Sequence, residues 1–310
     1  MKKFNNHSII SRWIKGVMAN KKAVVGSSLV CFFIIISLFG QLLTKDPTAF
    51  LSTPLSPPSA EYWFGTNGQG QDVFAQTIAG GRQTLLVGFI TGFLVVIIGS
   101  IIGGVSGYYG GKIDDILSLL INVFLVMPGL PLMVILASWL PPGPLTLIGV
   151  LSLTGWAWNA RIIRSQMMSF KNRDFVSAAI ISGERNIRII IVEIMPRMLS
   201  LIASSFIGAS IYAIGAQVAL EFLGLGDVSA VTWGTNLYWA SNDLALLTGS
   251  WWTFVPTGLG IAIISFALTL INFGIDEVTN PRLISERIWK EKISNINKID
   301  GVTPVVRSNE

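Results

Sequence analysis

The chain has one cysteine, Cys31, and one histidine, His7, in 310 residues. That scarcity excludes a disulfide framework, a Cys/His metal cluster and a catalytic Cys–His pair. Cys31 lies inside an apolar run and reads as a small residue facing lipid or another helix, and His7 reads as a solvated residue of a basic tail. Charge is scarce too: 13% of residues are charged, against about 25% in soluble domains. A phosphate-cradling loop of the form GxxxxGK[ST] is missing, because Gly110-Gly111-Lys112-Ile113 lacks both the earlier glycine and the hydroxyl residue. Any nucleotide-derived energy must therefore come from another polypeptide.

What the chain has in abundance is apolar surface. Hydrophobic residues make up 51% of it and the mean hydropathy is +0.63, so too few polar residues remain to cover a soluble core. The bilayer is the expected solvent. A spanning helix needs about 20 apolar residues, and six stretches qualify: 23–43, 83–107, 116–140 (with Pro128 and Pro131), a fourth from about 145 past Trp156 and Trp158 to Arg161, then 198–220 and 251–275. The first follows a basic segment, as a secretory signal would, but its apolar run exceeds the roughly 7 to 15 residues of such signals. No small-residue cleavage site follows it, so a retained helix is expected.

The net charge of +5 and pI of 9.4 would fit nucleic acid if the basic residues formed one surface, but they fall in blocks between apolar segments. Lys2, Lys3, Arg12, Lys15, Lys21 and Lys22 precede the first span, and Arg161, Arg164, Lys171, Arg173, Arg185, Arg188 and Arg197 lie between the fourth and fifth. Arg282, Arg287, Lys290, Lys292, Lys298 and Arg307 follow the sixth, and the alternate connections are nearly free of them. Cytoplasmic loops accumulate Lys and Arg. The pattern predicts six spans with both termini cytoplasmic.

Two connections exceed the usual loop length. The segment 44–80 carries Pro47, Pro54, Pro57 and Pro58, then Tyr62-Trp63-Phe64, and reads as an ordered external cap with aromatic anchoring or as a floppy linker. The cytoplasmic segment 162–196 has a helix start signal at Asp174, apolar and small residues at Phe175, Ala178 and Ala179, and Gly183 where a helix would end. A second helical stretch over 187–195 leads to Pro196, near the start of the next span. Two short helices meeting at a glycine make a knob, which either docks in a partner's groove or lies on anionic lipid through Arg173, Arg185 and Arg188.

The apolar cores contain essentially no charge, which argues against a proton-coupled secondary transporter, and no span clusters His, Asp or Ser as a membrane-embedded enzyme would require. Glu221, Asp227 and Asp243, at or beyond the external end of the fifth span, either face incoming substrate and a binding protein or are solvated loop residues. Gly88, Gly92, Gly99, Gly103, Gly104 and Gly107 recur about every four residues along the second span, as helix packing or a moving seam. Trp139, Trp156, Trp158, Trp251 and Trp252 suit an interfacial aromatic belt.

The spacing Ala178-Ala179, Gly183, Pro196 resembles the EAA loop of ATP-binding-cassette importer permeases, with Ser177 where a Glu is usual and Glu193 where an Ile is expected. Three further stretches are similar to the second permease subunit of dipeptide, oligopeptide and nickel importers. Trp63-Phe-Gly-Thr-Asn-Gly-Gln-Gly-Gln-Asp-Val73 resembles an external FGTDxxGRDV signature, with Asn67 and Gln71 in place of Asp and Arg. Glu221-Phe-Leu-Gly-Leu-Gly226 followed by Thr232-Trp-Gly234 resembles SFLGLG…SWG, and Asn280-Pro-Arg282 resembles a DPR ending. These matches span most of residues 11 to 283.

The resemblance implies an all-α integral membrane protein of the type I importer permease fold. Its parts would be a basic tail (1–22), a first helix with an external segment (23–80), a permease core (81–278) holding the coupling loop 162–196, and a cytoplasmic tail (279–310). It implies coupling to the ATPase through Ser177, Ala178, Ala179, Gly183 and Pro196: Gly183 as the bend, Pro196 as the lead into the fifth span, and the alanines as the docking surface. It implies no cofactor, no metal and no nucleic acid. The implied partners are a homologous permease, two cytoplasmic ATP-binding subunits, an extracytoplasmic solute-binding protein and membrane lipid. Peptides are the expected cargo, with oligosaccharides and nickel chelates as alternatives.

Overall fold

A computed structural model describes residues 20–279. His7, the basic residues before Asn20, Asn280-Pro-Arg282 and the basic tail lie outside the described residues. Among those described, every regular element is helical, with one isolated bridge between Thr66 and Asp72. Four continuous helical stretches are long and apolar enough to cross a membrane: Lys21–Leu42, Val73–Tyr109, Asn186–Phe222 and Trp251–Glu277.

Helix α1 (Lys21–Phe39) starts where the Asn20 side chain accepts the Lys22 N–H. It is apolar on all sides, with Val25, Phe32, Ile35 and Phe39 exposed, as a peripheral helix in lipid is. Cys31 is exposed on it. Helix α2 (Val73–Tyr109) is capped by Asp72, which accepts from Phe74 N, and its 37 residues span about 55 Å. It stops at Gly110 and Gly111, whose φ values of 69° and 54° no helix continues through.

The stretch expected as one span over 116–140 is broken. Helices α3 (Gly111–Val126) and α4 (Gly129–Trp139) meet at 88°. The cause is Pro128, which forces Met127 into an extended conformation (ψ 133°) and removes an amide from the ladder. Pro131 falls in the first turn of α4, where a proline is tolerated. Counted as one, the bent pair makes a fifth candidate span. Helix α5 (Pro144–Lys171), with proline in its first turn, is 28 residues and about 42 Å long, but Asn159, Arg161 and Arg164 in its second half lower its hydropathy. After the knob helix α6 (Asp174–Ile181) come α7 (Leu199–Phe222), the short α8 (Trp233–Asn242) and α9 (Val255–Thr279).

The glycine row of α2 sets the packing. Gly88 and Gly92 lie against Ile214 and Ser210 of α7, and Gly99, Gly103 and Gly107 lie against Asn159, Ala160 and the Arg164 backbone of α5. One helix thus carries α7 along its first half and α5 along its second, each at close backbone approach. Around this seam, Leu85, Ile207, Ile214, Trp233, Ile264, Leu268 and Ile275 form one buried apolar cluster. Helix α9 closes on α1 through Gly26 and Gly274, and Glu277 accepts from Asn20 and pairs with Lys22 at 3.3 Å.

Neighbouring glycines supply a test. A Cβ on Gly103 would collide with the Ala160 carbonyl, whereas one on Gly104 meets only Met167 Cε at 3.6 Å. Gly103→Ala is expected to cost about 1–3 kcal/mol by overpacking and to lower the melting temperature of the solubilised chain, while Gly104→Ala leaves it unchanged. Equal melting of the two variants would rule out the close seam.

Candidate functional site

The candidate site has two ends, a knob where α2 finishes and a cap where it begins. In the knob, α6 starts with Asp174 as its first helical residue, after Arg173 in the cap position. It ends in a Schellman arrangement: Gly183 N–H donates to the Ile180 carbonyl at 2.9 Å and Glu184 N–H to Ala179 at 3.1 Å. Gly183 has φ 78° with open space where a Cβ would sit, so its requirement is backbone conformation rather than room. The chain then passes through one α turn (Asn186–Arg188), a π-helical segment (Ile189–Ile194) and a 3₁₀ turn (Met195–Met198). Pro196 accounts for the irregularity, because its ring disrupts the regular ladder to the carbonyl four residues back. It sits in that 3₁₀ turn, three residues before α7 begins.

The knob is built onto the bundle. Val176, Ile189, Ile194 and Met198 are buried together with Tyr108 of α2 and Ile163 and Met167 of α5. The Tyr108 hydroxyl donates to Asn186 at 3.1 Å, and the Arg197 guanidinium lies 3.9 Å from the Phe175 ring centroid. Of the expected docking residues, Ser177, Ala178 and Gly183 are exposed, whereas Ala179 and Pro196 are half-buried and Ala179 packs on the internal cluster. Glu193 pairs with Arg197 at 3.2 Å. The sequence reading missed Ile180 and Ile181; Ile181 is 86% exposed on the open side of α6. The signal was available, because 175–181 is apolar on more than one face of a helix whose single buried residue is Val176.

Charge inside the helices also escaped the sequence reading. Asp114 of α3, only 8% exposed, takes two hydrogen bonds of 2.6 Å from Arg164 of α5 and one from the Ser106 hydroxyl of α2. Arg161 donates to Asn122 at 2.8 Å, giving α3 and α5 a second polar rung.

The cap, 44–72, is ordered. The Tyr62 hydroxyl donates to the Leu51 carbonyl, Lys45 sits over the Tyr62 ring, and Trp252 Nε1 donates to the Thr66 carbonyl at 3.2 Å. The two departures from the family signature touch each other: Asn67 Nδ2 donates to Gln71 Oε1 at 2.9 Å, and Gln76 Nε2 donates to the same oxygen at 2.6 Å. A buried neutral amide network thus stands where the family pattern would place an Asp and an Arg.

The three carboxylates of this end have different surroundings. Glu221, at 2% exposure, is not a solvated loop residue: it accepts from Gln217 Nε2 at 2.9 Å and from the Thr232 hydroxyl at 2.6 Å. A Cβ on Gly226 or Gly234 would run into it, so in this chain both positions leave room for the buried carboxylate. Asp227 forms a local turn with Ser229, whose amide and hydroxyl hold its carboxyl below the ordinary range. Asp243 bridges the cap to the turn after α8 by accepting from Gly68 N at 3.0 Å, and burial raises its pKa despite that bond.

Sequence reading also missed a cavity of about 660 Å³ between α5, α7 and α9. Its polar lining includes Thr154, Trp158, Asn159, Ser204, Tyr212 and Asp276, and the Ser204 hydroxyl donates to Asp276 at 3.0 Å. Among the described residues, no group of three His, Cys, Asp or Glu side chains could hold a metal ion.

A glycine-seamed helical bundle with an ordered cap and a protruding knob defines a multi-span membrane permease. Residues 96–285 match the family described as binding-protein-dependent transport system inner membrane component. The chain is 33% identical over 268 residues to the dipeptide transport system permease protein DppC of Bacillus subtilis (strain 168), covering 85% of this chain and 83% of that one. It is 31% identical to the oligopeptide transport system permease protein OppC of the same organism, covering 86% and 87%, and 30% identical to OppC of Haemophilus influenzae, covering 84% and 85%. The chain belongs to the family of binding-protein-dependent transport system inner membrane components, and it is a multi-pass protein of the bacterial cytoplasmic membrane.

The cap's attachment is expected to depend on pH. Because the Asp243 pKa is raised on folding, the folded state takes up a proton more readily than the unfolded one, so its contribution improves as pH falls from neutral through the raised value. Asp227 acts oppositely, contributing above the ordinary carboxylate range and losing that contribution as pH falls through its lowered value. Asp243→Asn keeps an acceptor for Gly68 and should abolish the acid-side gain in hydrogen-exchange protection over 66–72. Asp243→Ala should instead cost about 1 kcal/mol of local protection at neutral pH. Wild-type acid behaviour in Asp243→Asn would rule out this assignment.

Proposed function

We infer that this chain is one of two homologous permease subunits of an ATP-binding-cassette importer that moves peptides across the cytoplasmic membrane. It would work with two cytoplasmic ATP-binding subunits and an extracytoplasmic solute-binding protein. The observation that carries this reading is the knob. Its inner side is locked to α2 and α5, while Ser177, Ala178, Ile180 and Ile181 remain exposed. A helix with one apolar side covered by its own chain and another left bare requires a second cover, and the coupling surface of an ATPase supplies one.

In this reading the chain has six spans with both termini cytoplasmic. The alternating basic blocks support that count, and so does the length of α5, which suffices to cross despite its polar half. Residues 81–278 form the permease core, 23–80 add α1 and the external cap, 162–196 form the coupling loop, and 1–22 and 279–310 are cytoplasmic tails. Peptide cargo follows from the relatives' printed functions. The polar cavity between α5, α7 and α9 is the candidate wall of the pathway, and Glu221 supports the cap end rather than meeting cargo directly.

Two experiments test this. The cognate binding protein should be stabilised thermally by peptides; stabilisation by oligosaccharides or nickel chelates instead would overturn the peptide assignment. Within this chain, Gly183→Trp adds to the αL strain of about 1–2 kcal/mol a bulky group on the docking side. It should abolish ATP-driven uptake while membrane insertion stays normal, and Ile181→Asp should reduce uptake at least severalfold by placing a charge in an apolar contact. Normal uptake in both variants would refute the coupling role of the knob.

A further inference from the structure

We propose that Asp114 and Arg164 form a positioning pair that makes α3 move with α5 when the knob is displaced, so that the pair, not the backbone, carries the coupling stroke into the broken helix α3–α4. The proposal rests on the coupling role given to the knob above. It starts from a gap in the backbone's stiffness. Tyr108 at the end of α2 and Ile163 and Met167 of α5 are buried with the knob, so those two helices and the knob form one packed block. Helix α3 is joined to that block through Gly110 and Gly111, both at positive φ, with open space around Gly111 and Lys171 Nζ as the nearest approach to Gly110. Such a joint does not fix the direction of the next helix.

Side chains fix it instead. Arg164 lies on α5 between Ile163 and Met167, and it grips both oxygens of Asp114 at 2.6 Å in the planar, two-bond geometry that only a guanidinium gives. Ser106 adds a bond from α2, so three helices meet on one carboxylate. Farther along, Arg161 holds Asn122, and Ile121 packs with Trp156, Ala157 and Ala160. Displacement of α5 therefore drags α3 along. Since α3 meets α4 at 88° and Met133 of α4 accepts from the Tyr212 hydroxyl of α7, a shift of α3 is passed on to the cavity wall. The pair touches no cargo in this account; it positions the helices that do.

The test uses the complete transporter with its partner subunits in proteoliposomes, with a labelled dipeptide as cargo. Asp114→Asn removes the charge and leaves Arg164 unpaired; Arg164→Lys keeps the charge and loses the two-bond grip. Dipeptide imported per ATP hydrolysed should fall about tenfold in Asp114→Asn and severalfold in Arg164→Lys, as loss of charge-assisted bonds from a partly buried pair predicts. ATP hydrolysis per assembled complex should persist. If Arg164→Lys assembles and its import-to-hydrolysis ratio equals wild type, the pair is only a structural staple and the proposal fails, whatever the assembly of Asp114→Asn.

A cargo-independent measurement separates this from failure of the proposed function. Cys31 is the chain's one cysteine, so spin labels can be placed at Lys112→Cys on α3 and Ser169→Cys on α5, both exposed positions, in a Cys31→Ser background. Their separation should be the same in nucleotide-free and vanadate-trapped transporter with the pair intact, and should change on trapping in the Arg164→Lys background. A separation that changes with the pair intact, or stays fixed without it, overturns the proposal even if the cargo proves to be another solute.

Discussion

The close approach that α2 permits its neighbours is the constraint on which the rest depends. In lipid, helices gain nothing from hiding apolar surface from one another, so association rests on backbone proximity and on polar contacts. The glycines of α2 meet Ile214 and Ser210 of α7 along one half and Asn159, Ala160 and Arg164 of α5 along the other. A side chain at Gly99, Gly103 or Gly107 would push α5 outward, and with it Ile163 and Met167, the floor on which the knob is built. The cap is fixed from the opposite end, where Asp72 caps the first turn and Gln76 donates to the Pro47 carbonyl. Cap and knob are therefore held in register by a single helix.

The same logic gives physical content to the motif glycines. Gly226 and Gly234 belong to a recognisable signature, and in this chain both give room to the buried Glu221, since either Cβ would occupy its space. Gly224 completes a second Schellman arrangement at the end of α7, donating to Glu221 while Leu225 donates to Leu220. Departures from the signature obey local chemistry as well. Where the family pattern has Asp and Arg, Asn67 and Gln71 pair through a neutral amide contact that is satisfied without burying ions.

How much of this was legible in the sequence varies with the range of the interaction. Apolar run lengths located the helices to within a few residues, except that the long start of α2 and end of α5 extend beyond the apolar windows. Gly183 as a helix stop was legible because positive φ is a local demand. The break at Pro128 could have been read from the same kind of rule, but the flanking apolar residues on both sides outweighed it. Asp114 and Arg164 are fifty residues apart, and nothing local to either marks its partner. The apolar windows hold neither group: Asp114 precedes the third and Arg164 follows the fourth. Each of these groups sits near a helix end, outside the apolar windows, and becomes a buried pair only when α2, α3 and α5 come together. The burial of Glu221 was not legible for a similar reason: its cover, Thr232 and Gly234, comes from beyond the helix that carries it.

The alternative for the knob, an amphipathic helix held on lipid alone, meets a geometric difficulty. Such a helix buries one apolar face in the membrane boundary and keeps a charged face in water. In α6 the strongly buried residue is Val176, and what covers it is protein: Ile163, Met167, Ile189 and Ile194. The remaining surface mixes Ser177 and Ser182 with Ala178 and Ile181, and has no continuous charged side. Arg197, one of the basic residues of this segment, is turned back onto Phe175 and Glu193, and Arg188 pairs with Glu184. Guanidinium groups engaged in this way offer less to lipid phosphates, and the small residues of the open side suit close contact with a shaped protein surface. These contacts favour a protein partner over lipid alone.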